Sequence, residues 1–213
     1  MSERGRPALT GWPVNLLVTG RRVVVVGAGR VAARKVAPLL DLGAEVVVVA
    51  PTVGSEVEAW RAASRLEVRE RAFVAGDLDG AWLAVTATGR REVDGEVHAA
   101  AEARRVFVNA ADDPARCSFT LMSFVRRADL VVAVGTGGRS PALARWLRRR
   151  LAAEVGTEFE TLLALVSAAR DEIAASGRST EEADWQQALD SGIVDLVREG
   201  RIGEAKELLR SCL

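Results

Sequence analysis

The sequence predicts an α/β fold: a parallel β-sheet with helices on both faces, then a short β segment and an α-helical C-terminal part. Three observations predict it. The runs "RVVVV" (22–26), "EVVVVA" (45–50) and "VFVN" (106–109) are mostly apolar without alternation, as strands buried on both faces are. Stretches of helical spacing lie between such runs, so strands and helices alternate. After residue 117 the alternation stops. "SFTLMSFVRRADLVVAVGTGG" (118–138) holds two strand-like runs without a crossover helix, and the chain from Ser140 onward reads as helical. Two runs so closely spaced pair antiparallel, because a parallel pair needs a longer crossover.

Taken in order, the first strand runs into a glycine-rich turn and then "RVAARKVAPLLDLG". Val31, Lys35, Leu39 and Leu42 fall near helical spacing, and Gly43 suits the position just past a helix end. Pro38 predicts a kink or an exposed turn in that helix. The second strand is 45–50, "LEVRER" (66–71) is a weaker third and "AWLAVTAT" (81–88) a fourth. "EVHAAAEARR" (96–105) reads as a helix and 106–109 as the fifth strand. The helical part breaks at "ASGRST" (175–180), "DSG" (190–192) and "EGRIG" (199–203). The expected division is 1–117 for the α/β domain, 118–155 for the β segment and 156–213 for the helical part. A pair of strands this small cannot bury both of its faces, so segment 118–155 is expected to pair with its counterpart in a homodimer.

Composition narrows the function. With 213 residues and 49% hydrophobic residues the chain can build a sizeable core. The 29 basic and 29 acidic residues cancel, which argues against nucleic acid as a partner. Aromatics are 5% with no Tyr, so stacking platforms for single strands are not expected. Cys117 and Cys212 are far apart and form no CxxC pair. This fits a reduced, cytoplasmic chain. The start "MSERGRPALTGWPVNL" has no signal-peptide stretch, and no apolar run is long enough for a membrane span.

The sharpest motif is "VVVVGAGRVAARK", with Gly27, Gly29 and Ala32 in a GxGxxA pattern. It follows a strand and opens a helix, the context of a Rossmann-type dinucleotide site. Gly27 permits the tight turn, Gly29 lets backbone approach a pyrophosphate, and Ala32 lets the helix pack closely on the strand. The helix N-terminus offers free N–H groups and its positive dipole end. The second strand ends in Ala50, Pro51 and Thr52, with neither the carboxylate that binds a ribose 2′-hydroxyl nor an Arg for a 2′-phosphate. Backbone and the Thr52 hydroxyl are left to contact the ribose, and the residues leave NAD and NADP open.

Ligands of an open α/β sheet sit beyond the carboxyl ends of its strands. Those ends are Gly27, Ala50–Thr52, Thr86–Thr88 and Asn109, so Thr86, Asn109, Asp112 and Asp113 emerge on the cofactor side. "DDP" reads either as an active site or as a turn with an Asp cap. In "GTGGRSP", Ser140 suits an N-cap and Pro141 an N1 residue, and the loop's N–H groups offer an anion site. His98, the one histidine, falls inside the helix 96–105, away from the strand ends. In "RWLRRR" (145–150) the arginines read as a solvated face beside a buried stripe of Leu143, Leu147 and Leu151. Nothing clusters at metal-ligand spacing, so no metal site is expected.

The segments "VVVVGAGRVAARKVAPLL", "VNAADDPARCSF" and "VAVGTGGRSPALARWLRRRL", with their spacing, resemble the precorrin-2 dehydrogenase module of siroheme synthesis, with or without sirohydrochlorin ferrochelatase activity. The likeness covers roughly residues 12–155 well and the helical tail loosely. It implies NAD as cofactor, and oxidation of precorrin-2 to sirohydrochlorin. It implies Asp112 as the essential aspartate after the fifth strand. Asn109, Thr136, Gly137, Arg139 and Ser140 correspond to the substrate pocket. Arg30 and Val31 with the fingerprint glycines, and Pro51 and Thr52, correspond to the cofactor contacts. The family forms homodimers through the segment after the sheet. The sequence departs by ending without the methyltransferase domain fused to some relatives. Members differ in chelatase activity, with Fe²⁺ as its substrate, and the residues do not settle it here.

Oxidation sends a hydride to the nicotinamide and a proton to a base, for which a carboxylate serves. Asp112 is the stronger candidate by family position, while Asp113, directly before Pro114, is restricted to extended conformations and is expected to shape the turn. A tetrapyrrole rich in carboxylates calls for cations, and Arg116, Arg126, Arg127, Arg139 and Arg145 lie in suitable segments. The competing reading is a module that senses NAD(H) and regulates a partner without turnover. It would not need the second anion loop.

Overall fold

The computed structural model describes residues 11–213. The expectation about the extreme N-terminus falls largely on residues 1–10, outside the described residues. The described chain divides into two compact units, one ending at Leu121 and the other Met122–Leu213.

The first unit is built on strands β1 (Arg22–Val26), β2 (Glu45–Val49), β3 (Glu67–Arg69), β4 (Leu83–Thr86) and β5 (Phe107–Ala110). They form one sheet in the order β3-β2-β1-β4-β5 with every pair parallel. The valine runs are apolar throughout because the sheet is covered twice. Val23, Val25, Val46 and Val48 face helices α1 (Arg30–Asp41) and α2 (Ser55–Ala62), with Ala32, Ala33, Val36 and Val57 packed on them. Val24, Val26, Val47 and Val49 face α3 (Arg91–Arg104) and the 3₁₀ turn Ala75–Leu78. Each fully buried Val contributes on the order of 2 kcal/mol through removal from water.

Helix α1 runs through Pro38, whose ring lies on the exposed side. Gly43 lies just past the helix end, as expected. The Gly43 N–H donates to Leu40 O at 3.1 Å and the Ala44 N–H to Leu39 O at 3.0 Å, with φ +72° at Gly43, a Schellman cap. Helix α2 escaped the sequence reading: it has eight residues, and Val57 is the one fully buried. Helix α3 starts at Arg91 rather than 96. Its N-cap residue, Arg90, gives no side-chain cap to mark the start.

Beyond β3 the chain is pinned by Asp77, a buried carboxylate. It accepts from Arg69 at 2.9 Å, from Arg71 at 2.5 and 2.8 Å, and from the Val74 N–H at 3.0 Å. Burial alone would raise its pKa. The hydrogen bonds from Arg71, Val74 and Arg69 outweigh burial and hold it well below the usual carboxylate range.

The second unit opens with an antiparallel hairpin, β6 (Ser123–Arg127) and β7 (Leu130–Val134), as the sequence predicted. Ala128 takes φ +47° in the two-residue turn, the twist such a turn requires. Helices α4 (Pro141–Glu154), α5 (Glu158–Ala175), α6 (Trp185–Asp190), α7 (Ile193–Arg198) and α8 (Ile202–Cys212) follow. Leu162, Ala169, Ala188, Ile193, Val197, Ala205 and Leu209 form their core. The expected leucine stripe of α4 is corrected in one respect. Its buried residue is Ala144, and Leu143 is 48% exposed. Leu147 and Leu151, three and seven residues on, lie half-buried on the same face as Ala144.

Candidate active site

The fingerprint loop joins β1 to α1. Gly27 has φ +108°, and its N–H donates to Val49 O at 2.9 Å. A Cβ there would lie 2.5 Å from Ala87 O and 2.9 Å from Ala87 C. The fold itself therefore demands this glycine. Gly29 is different. Its φ is −83°, open to any residue, and a Cβ there would meet nothing within 4 Å. The protein's own packing gives no reason for a glycine here, whereas a ligand pressed against the backbone does.

Gly29 is also the N-cap of α1. It supplies no side-chain cap, and the first turn has no acidic residue. The first intrahelical bond runs from the Ala33 N–H to Gly29 O, so the amides of Arg30, Val31 and Ala32 point out of the helix end. Ala32 is fully buried against the sheet. Uncapped amides, a positive dipole end and open space over Gly29 fit a pyrophosphate.

Pro51 and Thr52 are exposed at the carboxyl end of β2. The segment after them is tied to the fingerprint by Gly54, whose N–H donates to Ala28 O at 3.0 Å. A Cβ on Gly54 would lie 2.6 Å from that oxygen. The sequence reading missed Gly54, a glycine with no motif around it.

Thr86 ends β4 and is fully buried. Its hydroxyl donates to Asp94 Oδ1, and its carbonyl accepts from the Ala111 N–H at 2.9 Å. Thr88 donates to the same Oδ1 at 2.7 Å. Thr86 thus lies on the ligand edge with its hydroxyl committed to Asp94, another residue the sequence reading missed.

At the end of β5 the two aspartates separate. Asp113 accepts from Arg116 at 3.2 Å. Arg116 also donates to Arg91 O at 3.1 Å and lies against Gly95. Asp113 and Arg116 thereby tie the turn to α3. Asp112 is exposed, has φ +60°, and forms no salt bridge or side-chain hydrogen bond among the described residues. A non-glycine residue in that left-handed conformation stores strain, of a kind that concentrates at functional sites.

Asn109 is buried and donates to Phe119 O at 3.0 Å and to the Cys117 sulfur at 3.6 Å. Its amide holds the returning chain. Burial pushes the Cys117 thiol pKa up, against the hydrogen bond to Ala110, and its sulfur is engaged with Asn109 and with the backbone of Ala110.

The loop Thr136–Ser140 belongs to the second unit. Gly137 and Gly138 take φ +57° and +73°. The Ser140 N–H donates to Thr136 Oγ1 at 3.2 Å, and Ser140 Oγ accepts from the Leu143 N–H at 3.2 Å. Ser140 is the N-cap of α4 and Pro141 follows inside it, as expected. Arg139, Arg126 and Arg145 are exposed without an ion pair among the described residues, while Arg127 donates to Ala152 O at 3.2 Å. His98 lies within α3. Among the described residues no group of three or more His, Cys, Asp or Glu could hold a metal ion. None of their helices is long and apolar enough to cross a membrane.

A family model described as NAD(P)-binding matches residues 14–123. The chain belongs to this NAD(P)-binding family. The match takes in the fingerprint, all five strands of the sheet and the Asn109–Asp113 turn. Siroheme synthase 3 of Aeromonas hydrophila is 37% identical over 179 residues, 83% of this chain and 38% of that protein. Siroheme synthase of Nitrosococcus oceani is 33% identical over 203 residues, 94% of this chain and 43% of that protein. The chain spans about two fifths of the length of these curated relatives. The solved structure of SirC, precorrin-2 dehydrogenase, matches with a TM-score of 0.73 at 25% identity, over 94% of this chain and 100% of that one.

Proposed function

We propose that this chain oxidises precorrin-2 to sirohydrochlorin with NAD⁺, in siroheme biosynthesis. The observation that carries the proposal is the pair of carboxylates after β5. Asp113 is spent on Arg116, while Asp112 stands exposed and unpaired at the sheet's ligand edge in a strained conformation. The likeness to siroheme synthases and to SirC supports the substrate.

NAD⁺, when bound, supplies the hydride acceptor. The chain's residues do the rest. Gly27 and Gly29 shape the phosphate turn, and the amides of Arg30 and Val31 would hold the pyrophosphate. Pro51 and Thr52 lie where the ribose would rest, and Thr86 fixes the end of β4. Asp112 takes the proton released as the macrocycle loses its hydride. Asn109 in the first unit and Thr136, Gly137, Arg139 and Ser140 in the second are each read as substrate-binding residues, since backbone N–H groups and the Arg139 guanidinium suit a macrocycle's carboxylates.

Fe²⁺ is read as a second substrate of the same pocket, ligated by the macrocycle's own nitrogens, with Asp112 accepting the pyrrole protons. The working unit is read as a homodimer joined through the outer hairpin face, where Phe124, Val131 and Ala133 are exposed. The proposed location is the cytoplasm, consistent with the two free cysteines.

Mixing the purified protein with NAD⁺ and precorrin-2 tests the reading. Growth of NADH absorbance with appearance of sirohydrochlorin is expected. NAD⁺ binding without turnover would refute it in favour of a sensor.

A further inference from the structure

The turn between β4 and α3 carries a group that the reaction above does not use. Asp94 lies in the first turn of α3, is 7% exposed and forms no ion pair among the described residues. A buried carboxylate with no cation beside it is costly. Here it is offset by the Thr86 hydroxyl, by the Thr88 hydroxyl at 2.7 Å, and by the positive end of α3. Thr88 Oγ1 in turn accepts from the Arg90 N–H at 3.0 Å. One oxygen, Oδ1 of Asp94, thus gathers the whole segment 86–90 onto the helix.

That segment is the wall of the fingerprint turn. The Ala87 N–H donates to Val26 O at 2.9 Å. A Cβ on Gly27 would lie 2.5 Å from Ala87 O and 3.3 Å from Thr88 N. The hydrogen bond to Val26 and packing that leaves no room for a Cβ on Gly27 couple the two turns, so a shift of residues 87–88 moves the Gly27 turn with them.

We propose that Asp94 is a positioning residue for the dinucleotide: through Thr86 and Thr88, its Oδ1 holds the β4–α3 turn against Gly27 and so sets the shape of the NAD⁺ pocket. The inference rests on the reading of Gly27–Ala32 as the NAD⁺ loop. It assigns the work to the acceptor oxygen and its position, not to the negative charge. Asn at 94 keeps that acceptor; Ala removes it.

Calorimetric titration with NAD⁺ separates the cases. Asp94→Asn is expected to bind within about threefold of wild type, and Asp94→Ala about tenfold or more weaker, the scale of a lost hydrogen bond to a charged group. Thr88→Val, at a half-buried site, cuts one of the two bonds to Oδ1, leaves that of Thr86, and is expected to give a smaller loss in the same direction. The double variant Asp94→Ala/Thr88→Val is expected to be no weaker than Asp94→Ala alone, because that change already removes the bond that Thr88→Val cuts. The KM for precorrin-2 stays within about twofold, since the changed element faces the cofactor. A merely structural role would lower the melting temperature and leave the NAD⁺ affinity of the folded protein untouched. Folded Asp94→Ala binding NAD⁺ like wild type would overturn the proposal, and so would Asp94→Asn as impaired as Asp94→Ala. Wild type that fails to bind NAD⁺ would instead overturn the cofactor reading beneath it.

Discussion

Substitution of the two fingerprint glycines by alanine should give opposite results, and the contrast can be worked from the backbone. At Gly27 the new Cβ lands 2.5 Å from Ala87 O, at φ +108°. The left-handed backbone costs about 1–2 kcal/mol for an L-residue, and relieving the overlap by shifting β4 costs about 1–3 kcal/mol more. The sum, about 2–5 kcal/mol, is a large part of a domain's total stability of roughly 5–15 kcal/mol. At Gly29 the Cβ enters open space at φ −83°. Stiffening the unfolded chain gains about 0.4–1 kcal/mol, and losing a tolerated N-cap residue costs about as much. Gly29→Ala should therefore fold with near wild-type stability and lose NAD⁺ affinity by about tenfold or more, with Gly29→Val binding none. Urea unfolding followed by circular dichroism measures the first quantity, and calorimetric titration with NAD⁺ the second. A folded Gly29→Ala with unchanged affinity would refute the reasoning, as would a Gly27→Ala protein as stable as wild type.

Four more outcomes are expected. Asp112→Asn should abolish NADH formation while keeping NAD⁺ affinity, and Asp113→Asn should mainly loosen the Arg116 tie and cost much less activity; like behaviour of the two would reduce the turn to a structural device. Fe²⁺ or Co²⁺ insertion into sirohydrochlorin, followed by visible absorbance, should need no NAD⁺ and vanish in Asp112→Ala; undiminished insertion would show that the two reactions do not share this carboxylate. Asp77, its pKa depressed in the folded state, contributes stability that is complete above the unfolded carboxylate value near ~4 and is lost as pH falls below it. Asp77→Asn should accordingly cost about 3 kcal/mol at neutral pH and flatten the acid side of a stability–pH curve; an unchanged acid limb would contradict this. Phe124→Asp with Val131→Asp on the outer hairpin face should convert a dimer to a monomer by light scattering, and a wild-type monomer at micromolar concentration would remove the homodimer from the proposal.

The sheet was legible because valine runs buried on both faces leave little else to be, and the GxGxxA turn because sterics fix its residues. Sequence placed Asn109 and Asp112 at the right edge of the sheet but could not tell Asp112 from Asp113 by chemistry. What separates them is the reach of Arg116, which depends on α3 lying alongside. Asp94 was illegible for a related reason. It fell outside the helix expected at 96–105, and nothing beside it in the chain shows that the strand end brings Thr86 and Thr88 to it. Gly54 gave no signal because its partner, Ala28 O, lies in another turn. Helix starts were poorly read where no Ser, Thr, Asp or Asn caps them, as at Arg90. Where a cap is present, at Ser140, the start was found.

The chain that returns after Asp112 has a consequence for solubility. Strand β5 is the rim of the sheet, and its outward amides would ordinarily invite a strand from another molecule. The Val108 N–H instead donates to Ser118 Oγ at 2.7 Å, and the Ala110 N–H to the Cys117 sulfur at 3.3 Å. The Val108 carbonyl accepts from the Ser118 N–H at 2.8 Å. The opposite rim, β3, is three residues long and carries Glu67 and Arg69. One border is thus sealed by hydroxyl and thiol, and the other is too short and too charged to template a neighbour. Replacing Ser118 and Cys117 by alanine would bare a ladder of donors, and the first symptom would be precipitation on concentration.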